Sequence, residues 1–72
     1  MALVDTLAEA LAKDALDLSE KLDDERLPDE VGKAIGASSP SFEEVYLTAI
    51  RLMRAERRAR QVLAAKGWSP EE

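Results

Sequence analysis

Between Val4 and Leu22 an apolar residue returns every three or four positions: Val4, Leu7, Leu11, Ala15, Leu18 and Leu22. At about 100° per residue these side chains fall on one narrow helical stripe, with Asp5, Glu9, Lys13 and Glu20 opposite. The spacing predicts a helix over residues 3–23. Thr6 and Glu9 have the spacing of a capping box, although Leu3 and Val4 carry the apolar pattern further back. Leu16 falls on the polar side and reads as a lone exposed leucine.

A second periodic run predicts a longer helix over residues 42–66. Its stripe is Phe42, Val45, Tyr46, Ala49, Leu52, Met53, Ala59 and Leu63. Ser41 with Glu44 reads as a capping box, and Pro40 with Val45 as a hydrophobic staple. Gly67 suits the left-handed residue after the helix, with Trp68 next, placed to touch Leu63. Pro70 blocks continuation, so residues 68–72 are expected to be a frayed tail.

The connection, residues 24–41, is long for a helical hairpin and predicts a short helix over 28–35. Pro28 suits its first position, Asp29 and Glu30 its positive end, Lys33 its last turn and Gly36 a left-handed stop. Leu27, Val31 and Ile35 recur every four residues and would pack across the end of the two long helices. The residues "GASSPS" then read as loop.

The expected fold is all-α, an antiparallel helical hairpin with a short connecting helix, in a single domain over residues 1–67. Two facing stripes leave open flanks, and the 72-residue length sharpens the problem. Ordering a residue costs about 1.5 kcal/mol, and apolar burial at about 25 cal/mol per Å² roughly cancels it at this size. There is no cysteine for a disulfide, and only one Phe, one Tyr and one Trp to enlarge the core. Packing against a second chain remains, so the hairpin is expected to form a homodimer, a four-helix bundle. The self-association stripe would comprise Val4, Leu7, Leu11, Leu18, Leu22, Phe42, Val45, Ala49, Leu52 and Leu63. A monomeric three-helix bundle is the competing architecture.

Chemistry is thinly supplied. Without His or Cys the usual general base and the most reactive nucleophile are missing, and soft-metal sites lack their ligands. The serines read as caps, loop and surface, so no catalytic residue, cofactor or metal is expected and an enzyme is the least favoured class. Asp23, Asp24, Glu25, Asp29 and Glu30 form an acidic cluster, but they lack the alternation and central glycine of an EF-hand loop. The N-terminal stretch carries acids and no basic leader, and no apolar run is long enough for a membrane span. A cytoplasmic address without membrane contact is the expectation.

Charge is unevenly placed. Residues 1–50 hold 4 Lys and Arg against 12 Asp and Glu, whereas residues 51–72 hold 6 against 3. Arg51, Arg54, Arg57 and Arg58 share an arc of about 120°, facing away from the apolar stripe. Four arginines on one face can contact phosphates, but no aromatic residue interleaves and no helix-turn-helix turn precedes them. A solvated surface, or one paired with carboxylates of the first helix, among them Asp5, Glu9, Asp14 and Asp17, is the preferred reading. Glu56 and Arg60 instead project into the stripe. A carboxylate on a core face is costly unless paired. With Asp14 at a similar height in an antiparallel hairpin, the three are read as a polar layer that would fix register.

The functional expectation is a small non-enzymatic protein–protein interaction module, self-associating, with a regulatory or adaptor role. Leu47, beside the arginine arc, is the candidate centre of a partner face with Arg51, Arg54, Arg57 and Arg58, and Tyr46, Met53 and Trp68 are further contact candidates. One alternative is a nucleic-acid-associated regulator using the arginine arc. Another is an acidic mimic, acting through Asp23, Asp24, Asp29 and Glu30, that blocks a nucleic-acid-binding protein.

Overall fold

The computed structural model describes residues 2–70. Three helices pack against one another: α1 (Ala2–Leu22), α2 (Leu27–Gly36) and α3 (Pro40–Ala65), with no strand among the described residues. Met1 of the expected domain and residues 71 and 72 of the expected tail lie outside them.

The helix ends follow local chemistry, with two departures from expectation. Ser39, not Ser41, caps α3: its backbone is extended and its Oγ accepts the Phe42 N–H at 3.1 Å. The reason is Pro40, whose fixed φ and missing N–H suit the first helical position. The expected capping box and staple thereby lose their positions. Gly36 does not adopt a left-handed conformation; α2 ends through Ala37, right-handed at φ −62°, whose N–H reaches Lys33 C=O at 3.1 Å. A Cβ at Gly36 would meet only the carboxylate end of the Glu43 side chain, which lies over this glycine.

The end of α3 is as the sequence implies. Gly67 has φ +95°, Trp68 N–H donates to Leu63 C=O at 3.1 Å and Gly67 N–H to Ala64 C=O at 3.0 Å, the paired bonds of a Schellman motif. The end of α1 uses the same device with Asp23 at the left-handed position, φ +53°. Asp24 N–H bonds Ser19 C=O at 2.9 Å, and Ser19 Oγ donates to Asp24 C=O at 2.6 Å.

The larger correction is orientation. α2 runs antiparallel to α3: its start, Pro28, and its end, Gly36, lie by Tyr46 and Glu43 respectively, with Gly32 against Tyr46 and Leu47 between them. α1 and α3 run parallel, not antiparallel. Arg57 sits beside Asp17 and Glu20, while Ala8 and Ala12, both fully buried, share one core with Tyr46, Ala49 and Ile50. In an antiparallel pair, Tyr46 would lie about 16 Å beyond Arg57, past the end of α1. The physical cause is α2. A ten-residue helix is about 15 Å long and carries the chain back down before α3 begins, so the third helix rises again alongside the first.

The core is small: Ala8, Ala12, Ala15, Leu16, Tyr46, Ala49 and Ile50, supported by half-buried Leu11, Leu27, Val31, Ile35, Phe42, Val45, Leu47 and Met53. Leu16, expected to be exposed, is buried at 5%. Tyr46 is fully enclosed, with small residues on α1 and Gly32 on α2 giving space for its ring. Its hydroxyl donates to the buried Pro28 carbonyl at 2.7 Å. A large side chain set among alanines and glycine is how a light core reaches close packing.

The result is a flat body of 44 × 29 × 15 Å with a radius of gyration of 13.9 Å. A compact chain of this length would have a radius near 11 Å. The accessible surface is 5567 Å², against about 4,400 Å² for a folded monomer of this mass.

Candidate functional site

The leucines that define the sequence pattern are mostly not in the core. On α1 the buried positions are Ala8, Ala12, Ala15 and Leu16, an arc turned by about 90° from the leucine stripe. Leu3, Leu7, Leu18 and Leu22 are 63%, 48%, 44% and 58% exposed, and Val4 and Leu11 are half-buried. The same rotation occurs on α3, where Leu52 and Leu63 remain 67% and 46% exposed while Tyr46, Ala49 and Ile50 turn inward. Of the expected self-association stripe, only Ala49 is buried; Val4, Leu11, Phe42 and Val45 are half-buried.

On α3, α2 packs along Glu43, Tyr46 and Leu47, and Val45, Leu52 and Leu63 stand about 100–160° away. On α1, Leu16 and Glu20 line a cleft with Arg54, Arg57, Arg58 and Gln61 of α3, and Leu3, Leu7 and Leu18 lie roughly opposite Leu16. The exposed leucines opposite Leu16 therefore point away from α3, and each long helix carries its own exposed apolar flank. Large exposed apolar side chains gathered on a helix flank mark sites of association.

Polar residues border these flanks. Arg60 Nε donates to the Glu56 carboxylate, four residues back on the same helix, with both side chains more than half exposed. Asp14 is exposed on α1 at the edge of Leu7 and Leu18. Within one chain Glu56, Arg60 and Asp14 therefore form no layer: Asp14 lies on α1 at the height of Leu52, one turn below Glu56.

The arginines separate into different roles. Arg57 is half-buried and bridges α3 to α1, donating to Asp17 Oδ1 at 2.8 Å and to Glu20. Asp17 also accepts from Lys13 at 2.7 Å. The Lys13 and Arg57 hydrogen bonds hold the Asp17 carboxyl below its usual range, and Asp17 in turn raises Arg57. Exposed pairs of this kind contribute little to stability. Arg54 and Arg58 line a shallow open cleft with Leu16, Ser19, Glu25 and Asp29, where acids and bases alternate. Arg51 stands apart, in a second depression with Glu44, Leu47 and Thr48. Leu47 is half-buried against Gly32, Met53 is half-buried against the core and Tyr46 is enclosed, so of the further contact candidates Trp68 alone is exposed. Asp23, Asp24, Glu25, Asp29 and Glu30 bring together no group able to hold a metal ion among the described residues.

Reasoning from the sequence missed Ala8, Ala12, Leu16 and Ile50 as core, and Glu20 as a partner of Arg57. The available signal was the Ala8–Ala12–Ala15 spacing, a small-residue stripe that permits close helix approach beside the leucines. No helix among the described residues is long and apolar enough to cross a membrane. In comparisons with known proteins, the chain matches no family model, no curated protein and no solved structure.

Proposed function

We propose that this chain is a small, non-enzymatic helical interaction module, self-associating, whose working surface is drawn from the exposed leucines of α1 and α3. The observation that supports it is the leucine set Leu3, Leu7, Leu18, Leu22, Leu52 and Leu63, all left exposed on the two long helices. A regulatory or adaptor role follows from what such a surface can do, which is to hold protein chains together. The alternation of acids and bases around Arg54 and Arg58, and the engagement of Arg57 by Asp17 and Glu20, weigh against the phosphate-binding alternative.

The test is solution mass by light scattering. The wild-type chain is expected at twice its 7.9 kDa. Leu52→Glu is the discriminating variant, because Leu52 is 67% exposed and its replacement does not touch the core. It should return the mass to that of one chain with helical circular dichroism retained. A wild-type chain that stays a folded monomer contradicts self-association.

A further inference from the structure

We infer that the side of α3 turned away from α1 and α2 is a dimer seam, and that its occupant is α3 of a second copy, parallel and in register, as a two-stranded coiled coil. The inference rests on the self-association reading above and assigns that association to one helix.

Three observations carry it. The first is spacing. Val45, Thr48, Leu52, Ala55, Ala59 and Val62 alternate steps of three and four residues, the a and d positions of a heptad. They share an arc of about 100° along about 25 Å of helix. The core of the single chain uses other positions of α3, Tyr46, Ala49, Ile50 and Met53, centred about 140° around the helix from this arc. Val45 is half-buried and the other five seam residues are exposed, Leu52 at 67% and Val62 at 61%. The next position in the series is Lys66, just past Ala65, so the seam and the helix end together.

The second is surface. The 5567 Å² of accessible surface exceeds that of a compact monomer by roughly 1,200 Å². A stable interface takes about 800 Å² from each partner, so the excess is of the size that one interface removes. Residues 58–68 are the longest exposed run among the described residues, and they carry the last third of the seam.

The third is charge along the two borders of the seam. Arg51 and Arg58 occupy g positions on one border, Glu56 and Leu63 e positions on the other, and all four are exposed. In a parallel pair each g residue meets the e residue five places on in the other copy. Arg51 then meets Glu56 of the second copy, twice by symmetry, and the Arg58 stem lies along Leu63. The antiparallel pairing that overlaps the whole seam, with Leu52 against Ala55, instead sets Arg51 against Arg58 on both borders, and like charges so placed oppose association. A parallel pair does bring the basic ends of α3 together. Arg57 is already held by Asp17 and Glu20, and Arg60 by Glu56, so the like charge it gathers is that of Arg58 and Lys66.

Disulfide crosslinking separates this geometry from association as such, because the chain has no cysteine of its own. Thr48→Cys and Val62→Cys each put one thiol at an exposed d position, near opposite ends of the seam. Ala64→Cys, exposed and about 150° from the seam, is the control. A disulfide joins only residues whose Cα atoms come within about 7 Å. In an oxidising glutathione buffer, non-reducing electrophoresis measures the covalent dimer, and light scattering gives the mass of the wild-type chain and of the reduced variants. The expected result is dimer mass, with Thr48→Cys and Val62→Cys each crosslinking alone several-fold more than Ala64→Cys. Crosslinking only when those two variants are mixed shows antiparallel α3 helices and overturns the parallel seam. Dimer mass with yields no higher than the control overturns the seam altogether and leaves the interaction module standing. A single-chain mass overturns both.

Discussion

Tyr46 shows most plainly what one residue does in this molecule. Its ring fills the space left by small neighbours on α1 and α2, and its hydroxyl satisfies a carbonyl inside the α2–α3 contact. Tyr46→Phe keeps the ring and leaves the Pro28 carbonyl without that partner, so denaturant titration should show a loss of about 1 kcal/mol. Burial raises the Tyr46 pKa above its ordinary 10.0. Below that value both states hold the proton and the contribution is fully present. As pH rises further the unfolded chain ionises first, so stability falls progressively from about pH 10 upward. The fall should be shallower in Tyr46→Phe, read as the difference between the two titrations. Asp23 is the second such residue. A non-glycine side chain in the left-handed region is strained, and its charge lies at the negative end of the α1 dipole. Asp23→Gly should therefore raise stability by about 0.5–1 kcal/mol, measured as an upward shift of the denaturation midpoint.

At the scale of the element, helix chemistry was almost fully legible. All three helices, the glycine-closed end of α3 and the proline at the start of α2 follow from rules that act within a few residues. The exceptions were Gly36, which is not left-handed, and Ser39 in place of Ser41 as the α3 cap, and the second is testable. Ser39→Ala should cost about 1 kcal/mol, while Ser41→Ala, inside the first turn, should change stability by less than about 0.5 kcal/mol. Which side of each helix turns inward was not legible. On α1, Ala8, Ala12 and Ala15 compete with Leu7, Leu11 and Leu18 for the interior across an apolar arc wider than one contact needs. Periodicity weighted by size selects the leucines. The fold selects the alanines, because only they let α1 approach α3 closely enough to enclose Tyr46.

For the whole molecule, the decisive fact is that a thin three-helix body has set the alanines of α1 against Tyr46 and Ile50 in its core and left most of the leucines of α1 and α3 outside. Its stability should then depend on association. The thermal midpoint of the wild-type chain is expected to rise with protein concentration, by mass action on the associated state, and that of Leu52→Glu to stay constant. The arginine set illustrates the same division between local and global causes. The sequence places four arginines on one arc, as a surface either solvated or paired with the first helix. Only the parallel packing of α1 and α3 decided that Arg57 meets Asp17 and Glu20, while Arg54 and Arg58 face Glu25 and Asp29 across a cleft.

By itself the sequence determined that the chain is helical, where its helices stop, and that it carries more apolar surface than one small core can absorb. These depend on spacing, caps and composition, which are properties of neighbours along the chain. Tertiary structure alone decided the direction of α3 relative to α1, the burial of Leu16 and Tyr46, and the exposure of the leucine flank. Those outcomes depend on the length of α2, which reverses the path, and on the close approach that alanine and glycine permit. Both are settled between residues far apart in the sequence, where no local pattern records them.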